Sequence, residues 1–485
     1  MKKQKNQKTP PQSPPIVAIS SPRGTGAISI IRLSGEGVHE IAKRLVTVKE
    51  TIKPKFLHYG LFESGEWRVE SGVEDKNNLT LTPNFKLQTP LSNIIRDEVM
   101  IAFFSAPNSY TGEDMVELFP HGGEFLTNEI LKCFISKGCR TAENGEFSKR
   151  AFLNGKIDLT KAEAIVDLIH AQTAGEARIA FDSLSGGVKN SVQVLERELV
   201  EVIAKIAVCV DYPEEDLEEV TKSDVQKSVK KTLEKVGALI ASYGQGRLLR
   251  EGVRVALVGE TNVGKSSLMN ALLGHERSIV TAIAGTTRDY IEENFSIGGQ
   301  KFVLIDTAGI RESDDEVENI GIERTKKMVD TADMVLECGV WSVENGVNEK
   351  NNLTLDSNPK IIIRVQNKID IAEKVENCDI GISAKTGEGI EKLKKLLSEK
   401  SKELTASPFL TSSSPLSLIS NPRHYEALVR AKESLALALE NLDSFTLDCV
   451  NVDLTEALNS ISSITGIKAT DEVVTEIFKN FCVGK

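Results

Sequence analysis

The sequence is poor in the features that mark several common protein classes. Aromatic residues make up 5% of its 485 residues. No apolar run approaches the roughly 20 residues that a membrane-spanning helix needs, so we expect no membrane contact. The seven cysteines are scattered and form no C-x-x-C pair, so the pattern predicts neither a disulfide framework nor a zinc site. We therefore expect a folded protein of a reducing, cytoplasmic compartment.

Positively charged residues are also fewer than negatively charged ones. The chain carries 59 Lys and Arg against 70 Asp and Glu, a formal net charge of −11. This balance gives no global attraction to nucleic acid, so any RNA contact must depend on a local patch or a partner. Prolines from Pro10 to Pro15 stand where a signal peptide would need its apolar segment, and we expect residues 1–15 to be a disordered tail.

One stretch organises the rest of the chain. The apolar run Val253 to Val258 leads into Gly259-Glu-Thr-Asn-Val-Gly-Lys265-Ser266-Ser267, and the helical pattern Leu268 to Leu273 follows. The spacing Gly-x4-Gly-Lys-Ser lets backbone N–H groups turn toward a phosphate, and the helix start adds its positive dipole end. We expect Lys265 to reach the outer phosphates and Ser266 to hold Mg²⁺.

Three further motifs follow in order. Asp306-Thr-Ala-Gly309 ends an apolar run and places a carboxylate where it can hold magnesium through water. The carboxylate of Asp370, in Asn367-Lys368-Ile-Asp370, can accept from both N1–H and N2–H of guanine, a donor pair that adenine lacks. Ser383-Ala384-Lys385 is typical of a loop behind the base. Four motifs in this order predict a GTPase, although Asp306 alone could be a turn residue and Asn367 alone a helix cap.

The length allows roughly three domains. Short strands are expected at Ile16 to Ile19, Ala27 to Leu33 and Glu98 to Phe104, which indicates a mixed α/β region. The loop from Ser21 to Gly26 completes no G-x-G-x-x-G pattern, so a tight turn is favoured there over a nucleotide loop. The segment Trp67 to Leu81 recurs as Trp341 to Leu355, and we interpret both copies as surface insertions because they are not tandem.

Helical periodicity flanks the GTPase motifs on both sides. Apolar residues recur from Leu195 to Val210, and a second helix is predicted from Ser223 to a break at Gly244 to Gly252. Beyond the linker 407–420, the helical pattern returns at Leu428 to Leu442 and again after a predicted cap at Asp453. Because neither part has enough helices to enclose a core, we expect them to form one bundle with the GTPase inserted between its halves.

With these motifs in place, the chain resembles the MnmE (TrmE) family, GTPases of bacterial tRNA wobble-uridine modification. The resemblance also rests on Pro107-Asn-Ser-Tyr-Thr-Gly-Glu-Asp114, His121-Gly-Gly, Arg150-Ala-Phe-Leu-Asn-Gly-Lys156 and Phe481-Cys482-Val-Gly-Lys485. It implies a folate-binding-like α+β N-terminal domain, a helical domain and an inserted Ras-like P-loop GTPase domain. The boundaries expected are a tail at 1–15, the tetrahydrofolate-binding and dimerisation domain at 16–150, helical halves at 151–250 and 406–485, and the GTPase at 251–405.

The resemblance also implies ligands and partners. A tetrahydrofolate derivative would contact Arg32, Glu117, Lys156 and Lys485, which is reasonable because an anionic pteroyl-glutamate favours cations and the pterin edge favours a carboxylate acceptor. The expected partners are a second copy of the chain, tRNA and the FAD protein MnmG in a hetero-oligomer. Together they would add an aminomethyl or carboxymethylaminomethyl group to C5 of wobble uridine.

For GTP hydrolysis, the family implies a potassium ion in place of an arginine finger. Its ligands would be Asn262, Thr281, Ile283 and Thr286, while Thr287 would complete the magnesium shell with Ser266. The catalytic residue would be Glu318, although the sequence itself does not separate it from Asp314, Asp315 and Glu316. The residues expected around GTP are Asn262, Val263, Gly264, Lys265, Ser266, Ser267, Thr281, Ala282, Ile283, Ala284, Gly285, Thr286, Thr287, Asp306, Thr307, Ala308, Gly309, Asn367, Lys368, Asp370, Ser383, Ala384 and Lys385.

The sequence departs from the usual family pattern at Thr261, Asn144 and Ala282, and none of these departures removes a group that we assign to chemistry. Two other classes of protein share part of the pattern. A ribosome-assembly GTPase would have the motifs from 259 to 385 but would not explain Lys485 and the N-terminal third. A folate-dependent one-carbon enzyme would not explain a complete GTPase.

Overall fold

The computed structural model describes residues 13–22, 24–64, 67–70, 84–87, 94–211, 222–260, 262–274, 291–306, 329–339, 361–371, 378–405, 417–444 and 446–485. Its residues fall into two compact units. One comprises Met1–Val166 with Ala469–Lys485, and the other comprises Asp167–Lys468. The C-terminal segment therefore belongs to the same unit as the N-terminal region. In the described residues, no helix combines the length and the apolar character that crossing a bilayer requires.

The first unit is built on a mixed sheet of seven strands in the order β3-β4-β7-β8-β2-β1-β9, with β5 and β6 forming a separate hairpin. Its strands are β1 (Ile16–Ile19), β2 (Ile31–Ser34), β3 (Val46–Val48), β4 (Leu57–Glu63), β5 (Trp67–Glu70), β6 (Asn84–Leu87), β7 (Arg96–Phe104), β8 (Met115–Phe119) and β9 (Arg140–Thr141). Its helices are α1 (Val38–Leu45), α2 (Glu124–Ser136), α3 (Glu146–Leu153), most of α4 (Leu159–His170) and α12 (Asp471–Lys479).

The larger core of this unit lies on one face of the sheet. Val99, Ile101 and Phe103 alternate along β7 and are buried against Ile41 of α1 and Phe134 of α2. This period of two is the pattern that a half-buried strand requires. A second cluster joins the C-terminal segment to α3 and α4; its buried members are Ala151, Ile157, Leu159, Ala162, Val474, Phe478 and Phe481.

The GTPase motifs lie on a second sheet, in the order β11-β12-β10-β13-β14-β15. All of its strands are parallel except β11, which pairs antiparallel with β12. The strands are β10 (Val253–Val258), β11 (Ile291–Ile297), β12 (Gln300–Asp306), β13 (Met334–Gly339), β14 (Ile361–Gln366) and β15 (Ile380–Gly381), with helices α8 (Lys265–Leu273) and α9 (Ile390–Thr405). In a parallel sheet the strand ends that carry these motifs meet at one edge, which places them around a common site.

Five further helices of the described residues form one bundle, as the sequence predicts. They are α5 (Ala174–Leu184), α6 (Gly187–Asp211), α7 (Lys222–Glu251), α10 (Pro422–Ser444) and α11 (Leu447–Thr465). One continuous core contains Leu195 and Leu199 of α6, Val229 of α7, Leu435 of α10 and Leu454 of α11. Segments from both sides of the GTPase motifs therefore share a single core.

Two helix boundaries predicted from the sequence are wrong. The helix α7 does not break at Gly244 but continues to Glu251, and Gly252 ends it with a positive φ of 94°. Gly246 lies inside the helix, and this position requires glycine because a Cβ there would collide with the Ile419 carbonyl. The helix α11 begins at Leu447 after an N-cap at Thr446, so Asp453 is an interior residue; its carboxylate accepts from Asn441 Nδ2 at 3.0 Å.

Three other sequence predictions agree with the structure only in part or lie partly outside the described residues. The strand predicted from Ala27 starts at Ile31, because Ile28 forms an isolated bridge with His121 before regular pairing begins. Of the predicted tail, residues 1–12 lie outside the described residues, while Ser13 N donates to Glu113 Oε1 at 3.2 Å. Most of both insertions also lies outside the described residues, although β5 opens the first copy.

Candidate functional site

The phosphate loop connects β10 to α8. Gly264 has a φ of 94°, and a Cβ at this position would collide with Asn367 Nδ2, so both conformation and space require glycine. Asn262 also adopts a positive φ, of 64°. Lys265 Nζ donates to the carbonyls of Gly259 at 2.9 Å and Glu260 at 2.7 Å. The lysine that the sequence assigns to phosphate binding therefore begins α8, and its ammonium group lies against the backbone of the phosphate loop.

Asn367 links the phosphate loop to the two loops expected around the base. Its buried Nδ2 donates to the Val263 carbonyl at 2.9 Å. Its Oδ1 accepts from the backbone N–H groups of Lys368 at 2.8 Å and Ala384 at 3.0 Å. One side chain thus joins three motifs that the sequence keeps well apart.

Asp370 is oriented by a neighbouring hydroxyl. Ser383 Oγ donates to Asp370 Oδ1 at 2.7 Å, and this hydrogen bond lowers the pKa of the Asp370 carboxyl. Lys368 Nζ donates to the Asn262 carbonyl at 2.9 Å, which ties this loop back to the phosphate loop. The arrangement presents an ionised carboxylate beside a fixed loop, as recognition of a base with two adjacent N–H donors requires.

Asp306 ends β12 beside the phosphate loop, since it pairs with Leu257 of β10 and Ile291 of β11. Ser266 and Ser267 lie in the first turn of α8, and the remaining residues predicted around the phosphates and the metals lie outside the described residues. They are Thr281, Ala282, Ile283, Ala284, Gly285, Thr286, Thr287, Thr307, Ala308, Gly309 and Glu318.

A second polar group lies in the first unit, where β2 meets β8. Arg32 Nε and Nη2 donate to Glu117 Oε1 at 2.9 and 2.8 Å, and the two residues are register partners in the sheet. Arg32 Nη1 donates to the Gly484 carbonyl at 3.0 Å. Three of the four residues predicted to bind folate, including Lys485 directly after Gly484, therefore lie in one place.

The C-terminal segment is held there by backbone contacts that the sequence analysis missed. Ser20 Oγ donates to the Gly484 carbonyl at 2.9 Å, and Phe147 N donates to the Lys485 carbonyl at 3.1 Å. Gly484 has a φ of 93°, and a Cβ there would approach the Ile19 carbonyl and Ser20 Cα within 2.8 Å. No local signal marks such contacts, because they join residues far apart in the sequence.

Aromatic rings flank the Arg32 guanidinium. The ring centroids of Tyr110 and Phe147 lie 5.8 and 5.7 Å from Arg32 Cζ. Both distances are within cation–π range, so the rings fix the guanidinium plane. Tyr110 belongs to the motif Pro107–Asp114, and its hydroxyl pairs with Ser148 Oγ at 2.8 Å.

The two lysines of the predicted folate set have different environments. Burial, and then the positive charge of Arg32, lower the pKa of Lys485 below its ordinary value. Its ammonium form is therefore lost at a lower pH than that of an exposed lysine. Lys156 Nζ instead donates to the Pro107 carbonyl at 2.9 Å.

Comparison with known proteins extends over nearly the whole chain. A family model described as the GTP-binding protein TrmE N-terminus matches residues 15–156, and one described as the MnmE helical domain matches residues 159–482. The tRNA modification GTPase MnmE of Acetivibrio thermocellus is 37% identical over 487 residues, covering 97% of this chain and 99% of that protein. The corresponding proteins of Carboxydothermus hydrogenoformans and Aquifex aeolicus are each 38% identical, with 97% of this chain and 99% of each of them covered.

The phosphate loop, the Asn367 and Asp370 motif and the docked C-terminal segment thus occur in one chain that aligns with these proteins along almost its full length. The chain belongs to the MnmE (TrmE) family of tRNA modification GTPases.

Proposed function

We propose that this GTPase acts on tRNA with an FAD-containing partner of the MnmG type. The reaction adds an aminomethyl or carboxymethylaminomethyl group to C5 of the wobble uridine. One observation carries the proposal: the segment ending in Lys485 is fixed beside Arg32 and Glu117 in a chain that also holds a GTPase site. A tetrahydrofolate derivative bound there supplies the one-carbon unit, and GTP hydrolysis supplies a conformational cycle.

The residues present fit an anionic folate. Lys485 is half-buried beside Arg32, and Glu117 offers a carboxylate for the N–H groups of a pterin edge. Arg32 already donates to Glu117 and to Gly484, so its main task is to position the carboxylate and the C-terminal segment. Lys156 completes the proposed set from the neighbouring loop.

At the GTPase site we assign Mg²⁺ to Ser266 and Thr287, with Asp306 acting through water. We assign K⁺ to Asn262, Thr281, Ile283 and Thr286. In the described residues no group of three or more His, Cys, Asp or Glu could hold a metal ion. This fits a magnesium ion held by a hydroxyl and phosphate oxygens rather than by a protein cage. Glu318 orients the attacking water, because Ile310 stands where Ras-type enzymes have Gln.

The proposed working form is a cytoplasmic homodimer. The face of the first sheet opposite its core exposes Leu57, Tyr59 and Leu61 on β4 and Met100 on β7, and Tyr59 and Met100 are register partners. A cluster of exposed apolar side chains on one sheet face favours burial against another protein surface. A second copy of the chain is the occupant that the family resemblance implies.

Removing residues 482–485 tests the proposed function. In a strain that has only the truncated protein, we expect mass spectrometry to show wobble uridines without the added group. The truncation keeps Phe481, which is buried in the cluster with Phe478, so the unit should still fold. Intrinsic GTP hydrolysis should stay within about twofold of the parent, because the nucleotide site lies in the other unit.

The matched control is Lys479→Ala, which removes an exposed cation from the same segment. We expect normal wobble nucleosides in the control strain. Normal nucleosides in the truncated strain would contradict the proposal, whereas loss of modification in both strains would point to a general defect of the segment.

A further inference from the structure

One face of the GTPase sheet carries charged side chains where it approaches the helices. Phe295 of β11 and Phe302 of β12 stack on the opposite, buried face at 5.4 Å. The charged face bears Arg254 of β10, Glu292 of β11 and Lys301 of β12. Arg254 Nη2 contacts Glu292 Oε1 at 2.9 Å, which bridges β10 and β11 across β12. This end of the face is therefore charged, whereas Ala256 and Val258 farther along β10 are buried in a separate apolar cluster.

The helices that oppose this face are also charged. Arg250, near the end of α7, donates to both carboxylate oxygens of Asp167 on α4, at 3.0 and 2.8 Å. Glu176 in the first turn of α5 is buried, and its carboxylate accepts from Gln172 N at 3.0 Å and Thr173 Oγ1 at 3.2 Å. The α4–α5 corner thus presents a fixed carboxylate to the sheet.

An open cleft with a volume of about 450 Å³ separates the sheet face from the α4–α5 corner. Among the described residues, its apolar lining is limited to Ile179, Ala180 and Val303. Across it, Lys301 Nζ lies 3.9 Å from Glu176 Oε1, with side chains 16% and 7% exposed. Because little apolar surface is packed here, the contact depends on this charge pair, which can separate without opening a packed core.

Lys301 lies on the strand pair that joins the nucleotide-binding segments. The strand β12 ends at Asp306, and β11 begins shortly after Thr287. Their ends are register partners, Ile291 with Asp306, while Lys301 pairs with Ser296 near the far end. The Lys301 stem also lies against Gly252, where a Cβ would approach Lys301 Cγ within 2.8 Å. A shift of the β11–β12 pair therefore moves Lys301 relative to α5.

We propose that Lys301 and Glu176 form an ionic clamp that transmits the nucleotide state of the GTPase sheet to α5. In the clamped arrangement the ammonium group holds the buried carboxylate and stabilises the first turn of α5. When the β11–β12 pair shifts with the nucleotide, the distance between the Lys301 ammonium group and the Glu176 carboxylate changes. The stability of the first turn of α5 changes with it. The inference depends on GTP binding and is independent of the folate and tRNA proposals.

Hydrogen exchange of the full chain tests the clamp. The amides of α5 are followed by mass spectrometry with GDP and with a non-hydrolysable imido analogue of GTP. In the parent we expect exchange rates that differ by about threefold or more between the two nucleotides. Lys301→Met and Glu176→Gln should each remove this difference, and the double variant should behave like either single one, because both changes break the same pair. In Glu176→Gln the side-chain carbonyl oxygen still accepts from Gln172 N, while the new amide N–H can donate to Thr173 Oγ1.

Two further variants separate a clamp from a general defect. Lys301→Arg keeps the charge and should keep the nucleotide dependence. Arg364→Met removes a cation of the same sheet that pairs with Glu337 instead, and it should also keep the nucleotide dependence. GTP hydrolysis should remain within about twofold in all variants, since none touches the nucleotide site. Equal α5 exchange with both nucleotides in the parent, or an unchanged difference in Lys301→Met, would overturn the proposal.

Discussion

Asn367 shows how much of the nucleotide site can depend on one side chain. Its amide donates to the phosphate loop at Val263, and its carbonyl oxygen accepts from Lys368 and Ala384. It is buried, so each of its hydrogen bonds is made in a low-dielectric environment. Loss of any one of them would leave a buried polar group without a partner, which costs free energy. The relative position of phosphate loop and base loop is therefore fixed by hydrogen bonds as well as by the sheet.

Asp370→Asn should change the base preference from guanine toward xanthine. The amide can donate to the oxo group that xanthine carries at C2, but it no longer accepts from both guanine N–H groups. We expect GTP to bind about 100-fold more weakly, as the loss of charge-assisted hydrogen bonds predicts. Titration with labelled GTP and XTP measures both affinities.

Asp448→Asn is a suitable control, because it removes an exposed carboxylate whose pKa is likewise lowered by a hydroxyl partner, Thr446, outside the nucleotide site. Its nucleotide affinities should equal those of the parent. An Asp370→Asn variant that binds GTP as tightly as the parent would show that this carboxylate does not read the base.

The sequence predicts where the proposed nucleotide residues lie in the fold because their spacing is local. Lys265, Asn367 and Asp370 each follow a strand closely, so a short pattern specifies both the residue and its place at the sheet edge. Arg32 and Glu117 became candidates only through the family resemblance. Ser20 and Phe147 could not be predicted at all, because their partners lie at the other end of the chain.

At the scale of the element, the glycines inside α7 show how tertiary packing can maintain a helix where the sequence predicts a break. Glycine lowers helix propensity by about 1 kcal/mol relative to alanine, so Gly244 and Gly246 predict a break. The structure keeps the helix intact because Gly246 lets the backbone before α10 approach α7 closely. Tertiary packing therefore overrides local propensity, and a single sequence does not show which glycines serve which purpose.

The turn at the C-terminal segment provides an element-scale prediction. Gly484→Ala should weaken binding of a tetrahydrofolate derivative by about tenfold or more. The left-handed conformation costs an alanine about 1–2 kcal/mol, and the added Cβ displaces the segment from Ile19 and Ser20. Calorimetric titration with the reduced folate measures the change.

Gly138→Ala is the matched control. Gly138 also has a positive φ, of 105°, but no atom of the described residues lies within 4 Å of its Cβ position. This variant introduces strain without displacing a neighbour, so its folate affinity should stay close to that of the parent. Equal affinities for both variants and the parent would mean that the position of the C-terminal segment does not matter for folate.

At the scale of the whole molecule, the order of elements was the most predictable feature. The GTPase motifs interrupt a helical pattern, and neither helical part can enclose a core alone, so one bundle was the expected solution. The common core of α6, α7, α10 and α11 confirms it. The placement of α12 with the first unit could not be predicted, because its helical period does not say which surface it covers.

The proposed cation mechanism gives a prediction for the assembled molecule. GTP hydrolysis should be about tenfold faster in K⁺ than in Na⁺, because a fixed cation at the phosphates neutralises charge that develops in the transition state. Asn262→Ala should remove most of this difference. Steady-state phosphate release at equal ionic strength measures it, since general screening treats the two ions nearly alike.

Thr261→Ala in the same loop is the control and should keep the dependence on K⁺. Equal rates of the parent in both salts would remove the basis for a potassium ion at this site.

The 30-residue helix α7 connects two cores. Val229 and Val236 lie in the core of the bundle, while Leu248 near the other end lies in the core of the GTPase sheet. Arg247 also pairs with Asp333 of that sheet, and Gln300 Nε2 donates to the Leu248 carbonyl at 3.2 Å. Melting either core would leave one end of α7 without its packing, so denaturation of the bundle and of the GTPase sheet is thermodynamically linked. Heat should therefore unfold the GTPase and its helices as a single cooperative unit.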